Sequence, residues 1–447
     1  MDQPCEGLKP SQGNFPYRLK VEGRSLENLA LNQQSTPNDQ KSTLHWPSVL
    51  QLGFSLLGIS SLWGLSIVLI VAGIIHLLTP SQAPTGRVPF FLLGMSGILI
   101  GLILVPSAVY AMLHLLGRQP TRFLPAPHWL RPSKLIFILP LVLLAGWWVS
   151  QQGALGELIL PFFHILAIGI PVLWLAYLAV RDLPMGSAQR AWGALGSGSV
   201  LSPSLILLVE LGVLLGGVVA LSVWISGNSN ALSELTTLAQ RLEQAQQVGS
   251  SPELLVHVLS PYLSDARVIF AAFAFGAVIV PLIEEALKPL GVWFLAGSHL
   301  TPAEGFTAGA LCGAGYALLE SLLLSSNGGA EWVSLSFSRI GTGVIHILTS
   351  GLTGWALASA WAEGRYLRLG AAYLGAVLIH GFWNGLTVLI VASGISQALG
   401  QTEVEPLGRA GEWAPYGLVV LAVLGLAALI WANWRLRHGL RVIDDVV

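Results

Sequence analysis

Residues 267–296 read RVIFAAFAFGAVIVPLIEEALKPLGVWFLA, and two features of that stretch govern the reading of the whole chain. It is long and apolar enough to cross a bilayer, for which about 20 predominantly apolar residues suffice. Yet it carries Glu284, Glu285 and Lys288 within it. Counted from Arg267 at the helical rise, the glutamate pair lies roughly 25 Å along the axis, beyond the first leaflet. Glu284 and Lys288 are four apart and Glu285 and Lys288 three apart, so in a helix the lysine faces both carboxylates. Ionisable groups at that depth are costly and are functional candidates by default.

Working outward, the same apolar texture recurs. The chain is 53% hydrophobic and 10% charged, whereas soluble domains carry about 25% charged residues. Apolar segments fall at about 49–78, 89–116, 134–150, 157–180, 203–226, 267–296, 305–325, 335–361, 369–394 and 414–434. The expected fold is therefore all-α, a polytopic membrane protein with about ten transmembrane helices. A net charge of −1 gives no footprint for nucleic acid. Cys5 and Cys312 lie in a polar tail and an apolar run, so no disulfide framework is expected.

Basic residues set an orientation. Arg118, Arg122, Arg131, Lys134, Arg181, Arg190, Arg365, Arg368, Arg435, Arg437 and Arg441 fall on one side of a ten-helix chain, together with the tail that bears Lys9, Arg18, Lys20, Arg24 and Lys41. The opposite loops hold only Arg87, Arg241, Arg267, Arg339 and Arg409. Both termini are expected to be cytoplasmic. The pattern, with no secretory signal at the start, points to a bacterial inner (plasma) membrane, with an organellar or thylakoid membrane as the alternative. Trp46, Trp129, Trp224 and Trp332 lie near segment ends, where interfacial anchors belong.

The expected organisation is a mobile cytoplasmic tail over 1–48, a five-helix membrane module over 49–226, an extracytoplasmic amphipathic element over 227–265, a polar-bearing membrane core over 266–394, and the last outer loop, tenth helix and basic tail over 395–447. The element at 227–265 is amphipathic because Leu232, Leu235, Leu238 and Leu242 recur at helical spacing among polar residues.

Three segments that follow Glu284 add polar groups: Glu320, His346, and His380 with Asn384 one turn later. Together they can line a water-filled cavity. Isolated histidines in membrane segments, here His76, His114 and His164, are more often packing residues, and Glu210 is weighed the same way. Arg339 marks the edge of its segment or pairs inward. The glycines at 309, 313, 315, 341, 343, 351 and 354 read as helix-packing surfaces. Other intramembrane chemistries lack their residues. No His is followed by Glu, so the HExxH zinc motif is absent. All six Asp residues lie outside the apolar segments, which removes a two-aspartate mechanism. Gly94-Met95-Ser96-Gly97 resembles the rhomboid serine motif, without the rest of that pattern.

Four pieces in order, Glu284-Glu285-x-x-Lys288, Tyr316-x-x-x-Glu320, His346 after Arg339, and His380-x-x-x-Asn384, resemble the PrsW family of glutamic-type intramembrane proteases, relatives of the CAAX prenyl endopeptidases. Lys288 and Glu320 stand where the CAAX type has arginine and histidine, which favours the PrsW branch. The resemblance implies an intramembrane endopeptidase that cuts in or near membrane-spanning segments with glutamate-activated water. Its catalytic set would be Glu284, Glu285, Lys288, Glu320, His346, His380 and Asn384. Glu284 would act as base with His346 orienting the water, Glu285 would share the proton, and His380 and Asn384 would face the oxyanion. Glu320 would orient a histidine or carry a proton. No cofactor is expected in this version. In a zinc version, Glu284, His346 and His380 are the ligands. The implied partners are the lipid bilayer and a membrane-protein substrate, such as a single-span regulatory protein. A proton-coupled transporter and a non-catalytic membrane scaffold are the alternatives, since a transporter also places Glu, His and Lys at mid-membrane.

Overall fold

The computed structural model describes residues 45–79, 89–118, 132–248, 265–323, 330–398 and 405–444, with isolated positions at 258, 260 and 262. The tail before His45 and Trp129 lie outside these residues. Ten helices are long and apolar enough to cross a membrane. They are α1 (Trp46–Leu78), α2 (Phe90–Leu115), α3 (Ser133–Ser150), α4 (Ala154–Val180), α5 (Ala188–Ser226), α7 (Ala266–Trp293), α8 (Pro302–Leu323), α9 (Ala330–Glu363), α10 (Tyr366–Ala398) and α11 (Glu405–Asp444). The amphipathic helix α6 (Ser229–Val248) joins α5 to α7 and leaves Leu232 and Leu235 exposed. Every expected segment is a helix. The largest difference is α5, which starts at Ala188 instead of near 203. Gln189, Arg190 and a run of Gly and Ser depress hydropathy there without preventing a helix, which Ser187 caps by accepting from the Arg190 N–H.

α8 and α9 form the centre. In their most apolar windows 78% and 83% of residues are buried, against 6% for both α5 and α7. Small residues permit this, because membrane helices gain stability from close backbone approach. A Cβ on Gly313 would run into the His346 carbonyl oxygen, and Gly309 and Gly305 approach α9 similarly at Ser350 and Gly354. α4 packs on both, with Ile168, Val172 and Leu175 in one apolar cluster with Phe306, Ala310, Val344 and Leu348.

Ion pairs gather the basic loops at one end. Arg190 meets Glu304 at 2.7 Å and Arg437 meets Asp182 at 2.9 Å. We call this the basic end and the opposite one the far end. Trp332, expected at an interface, is instead fully buried against Leu139, Val149 and Leu160. Its indole N–H donates to His164 Nδ1 at 3.3 Å, and His164 Nε2 lies 3.3 Å from the Leu322 carbonyl. His164 is thus a satisfied core histidine, as its isolation suggested. His114 is likewise satisfied by Ser48 at 3.0 Å.

Candidate active site

α7 supplies the glutamate pair from its segment Val280–Leu287, which follows a π-helical stretch over Ala274–Ile279. Lys288 continues the helix through its N–H to the Glu284 carbonyl at 2.7 Å. Its side chain is fully buried and forms the hub of the site. Nζ lies 2.8 Å from Glu284 Oε2 and 2.8 Å from Glu285 Oε1. It also reaches His346 Nδ1 at 2.8 Å and His380 Nδ1 at 3.2 Å. The Tyr316 ring completes the cage, 4.8 Å from Nζ to its centroid. An ammonium has three donors and no acceptor, so it can serve the two carboxylates and the His346 Nδ1 lone pair together, while His380 Nδ1 beside it gives its hydrogen to Glu285 Oε1. The spacing predicted the two helix-internal pairs; the contacts with both histidines come from the fold.

Each imidazole is held by a carboxylate. His346 Nε2 bonds Glu320 Oε2, and Glu320 Oε1 accepts from Arg339 Nη1 at 3.1 Å. Arg339 therefore pairs inward. His380 Nδ1 lies 2.9 Å from Glu285 Oε1, which leaves its Nε2 facing Glu284 Oε2 at 3.8 Å. The two rings meet edge to face at 5.3 Å, and the Tyr316 ring meets that of His346 edge to face at 5.0 Å. Glu284, Glu285, Lys288, His346 and His380 are all buried. Buried charges persist only when paired and hydrogen-bonded, and two cations here face three carboxylates. Among the described residues Glu284 Oε2 and Glu285 Oε2 accept no aligned hydrogen bond. Such an unsatisfied acceptor in a buried site can take a proton or a ligand.

The fold gathers six of the seven expected residues. Asn384 stands apart: its amide donates to the Gly276 carbonyl at 3.0 Å. A π-helical turn breaks the regular backbone pairing, and Asn384 uses the carbonyl so offered to tie α10 to α7. Three contributors went unassigned in the sequence. Tyr316 and Arg339 sit inside the quoted motifs but outside the expected catalytic set, and of the two readings open for Arg339 the inward pair, with Glu320, is the one formed. Glu210, in α5, reads from the sequence like the isolated histidines, yet its carboxyl is within electrostatic reach of Glu284, Lys288, His380 and Glu320. Ser96 of the GxSG sequence is buried in α2 and has no hydrogen-bond partner among the described residues.

Glu284, His346 and His380 can each turn one ligand atom inward, and these atoms lie within 4.8 Å of one another. One carboxylate and two imidazoles form a donor set that hydrolytic zinc accepts with a fourth position open. Metal-ligating histidines commonly give their second nitrogen to a carboxylate, the arrangement Glu320 and Glu285 make here. The donors thus fit zinc in kind. Lys288 Nζ stands among the same donors, so a metal ion and the ammonium compete for them.

Residues 205–403 match the family model described as PrsW family intramembrane metalloprotease. The match begins within α5, ahead of Glu210, and runs past Asn384. No curated protein and no solved structure matches the chain.

Proposed function

We propose, from the premise that residues 205–403 belong to the PrsW family of intramembrane proteases, that this multi-pass membrane protein hydrolyses peptide bonds in or beside membrane-spanning segments, with water as nucleophile. The observation that carries the proposal is the buried carboxylate of Glu284, one oxygen short of an aligned hydrogen bond, facing an ammonium and two oriented imidazoles. Glu284 takes a proton from water as the water oxygen bonds to the scissile carbonyl carbon. Lys288 is the cation placed to stabilise the charge that develops on the carbonyl oxygen. The C–N bond then breaks, and the proton held by Glu284 passes to the leaving amine nitrogen. Glu285 and Glu320 orient His380 and His346. Asn384 acts by holding α10 against α7.

The donor set and the metalloprotease description favour a second reading in which Glu284, His346 and His380 hold zinc. Zinc would supply a water acidified to near neutral pH and polarise the carbonyl. Membrane-protein N-termini compared between cells making wild type and Glu284→Gln test the protease. New termini in or near membrane spans, seen only with wild type, are expected; identical profiles would move the weight to transport or scaffolding. Metal analysis of the purified protein separates the two readings. Stoichiometric zinc, with activity lost to chelators, would make Glu284 a ligand instead of the base.

A further inference from the structure

α5 changes character along its length. Its π-helical turn Ser197–Leu201 is locked to α8, because a Cβ on Gly198 would strike the Cys312 carbonyl and one on Gly315 the Leu195 carbonyl. Ser202 Oγ then donates to the Lys288 carbonyl at 3.2 Å, and Ile206 is the last buried residue of the helix. Beyond it Leu207, Leu208, Leu211, Leu214, Val218 and Leu221 are exposed. Every residue from Leu211 to Trp224 is exposed, so all faces of that half of the helix are open. The far half of α5 therefore stands free of α8 among the described residues.

Glu210 sits at the root of this free half and is the one ionisable residue in Ser202–Ser226. Its Oε1 is shielded from solvent and has no hydrogen-bond partner among the described residues. Its carboxyl lies within electrostatic reach of Glu284, Lys288, His380 and Glu320, and Glu210 is partly buried where its neighbours Leu207, Leu208, Val209 and Leu211 are exposed. A carboxyl is costly in an apolar helix, and nothing described in the protein engages that oxygen. The missing partner is therefore expected to arrive with a ligand.

Resting on the endopeptidase reading, the chemistry of the substrate supplies that partner. A peptide bond inside a membrane helix is hidden by its own backbone hydrogen bonds, and a turn must unwind before water reaches the carbonyl. Unwinding leaves N–H groups without partners where there is no water to take them. A carboxyl oxygen accepts such an N–H whether or not the group is ionised. We propose that Glu210 positions the substrate by accepting a backbone N–H of its unwound turn, as the segment reaches the site past the free half of α5. The preferred substrates are then single membrane helices with a weak turn near the cut.

The test uses the full-length protein in proteoliposomes and a single-span substrate whose new terminus appears with wild type but not with Glu284→Gln. Glu210→Leu is expected to raise KM about tenfold with kcat changed by less than about threefold, the pattern of a lost binding hydrogen bond. Glu210→Gln retains a carbonyl acceptor and should recover most of that loss, whereas a purely structural role would treat Gln and Leu alike. A photoreactive residue in place of Glu210, on the Glu284→Gln background, should capture the substrate; the same residue at Leu208, on the opposite face of the helix, should not. An unchanged KM in Glu210→Leu, a loss confined to kcat, or equal capture at both positions overturns the inference and leaves the endopeptidase reading standing. If no terminus depends on Glu284, that reading fails first and the inference falls with it.

Discussion

The α8–α9 pair and the far half of α5 border the same site and could hardly differ more. The pair is packed backbone to backbone through glycine, serine and the His346 turn, with about four-fifths of each apolar window buried (78% and 83%). The far half of α5 presents leucine and valine to lipid on all sides. His346, Glu320 and Arg339 ride on the first; Glu210 rides on the second. Catalytic geometry needs positions held to within about 0.5 Å, whereas a membrane helix that must be admitted sideways needs a wall with little to break. The comparison teaches that burial is distributed here by task, with the oriented histidine on the rigid pair and the acceptor for substrate on the loose helix.

Five changes can break or sharpen this contrast. The largest effect is expected from Gly313→Val, which drives a side chain into the His346 carbonyl. Overpacking typically costs about 1–3 kcal/mol, and more where backbone is the obstacle, so folded protein should fall sharply in thermal unfolding assays in detergent. A stable, active Gly313→Val would refute the rigid platform. Next, Glu284→Gln should cut cleavage by about 10²- to 10⁴-fold, the span of general acid–base effects, with unfolding temperature near wild type. A large loss of stability instead would make the carboxylate structural.

Glu320→Gln weakens the hold on His346. Loss of an orienting carboxylate typically costs about 10–100-fold in activity, which steady-state cleavage rates would report. Arg339→Lys keeps the charge but loses the planar donor set and should cost less than Glu320→Gln; a larger loss would place Arg339 in contact with substrate. The smallest effect belongs to Leu214→Ala on the free half of α5, where surface changes stay within about 0.5 kcal/mol. A clear fall in unfolding temperature there would show that the far half of α5 packs against something after all.

Legibility followed the same division. Spans were readable because hydropathy over about 20 residues is a property of local sequence; α5 departed most, beginning at Ala188, where Gln189, Arg190 and small residues hid the helix start. The Glu284–Lys288 and Glu285–Lys288 pairs were readable because helical spacing fixes which side chains meet. Trp332 misled because nearness to a segment end does not say which face a residue presents, and its indole turned inward to His164. Asn384 shares a helical face with His380, yet its partner is a carbonyl exposed by a π-helical turn that no spacing rule foretold.

By itself, then, the sequence determined an all-helical membrane protein, the position of its buried charge, and the four helices that carry most of it. Only the tertiary structure decided that Lys288 joins both carboxylates to both histidines, that Arg339 turns inward to Glu320, and that Glu210 on a free-standing helix lies within electrostatic reach of the same site. The reason is physical. Hydropathy and helical periodicity act within one segment. Which faces of different helices meet is set by packing, here by the glycine contacts that bring α8 against α9 and α5.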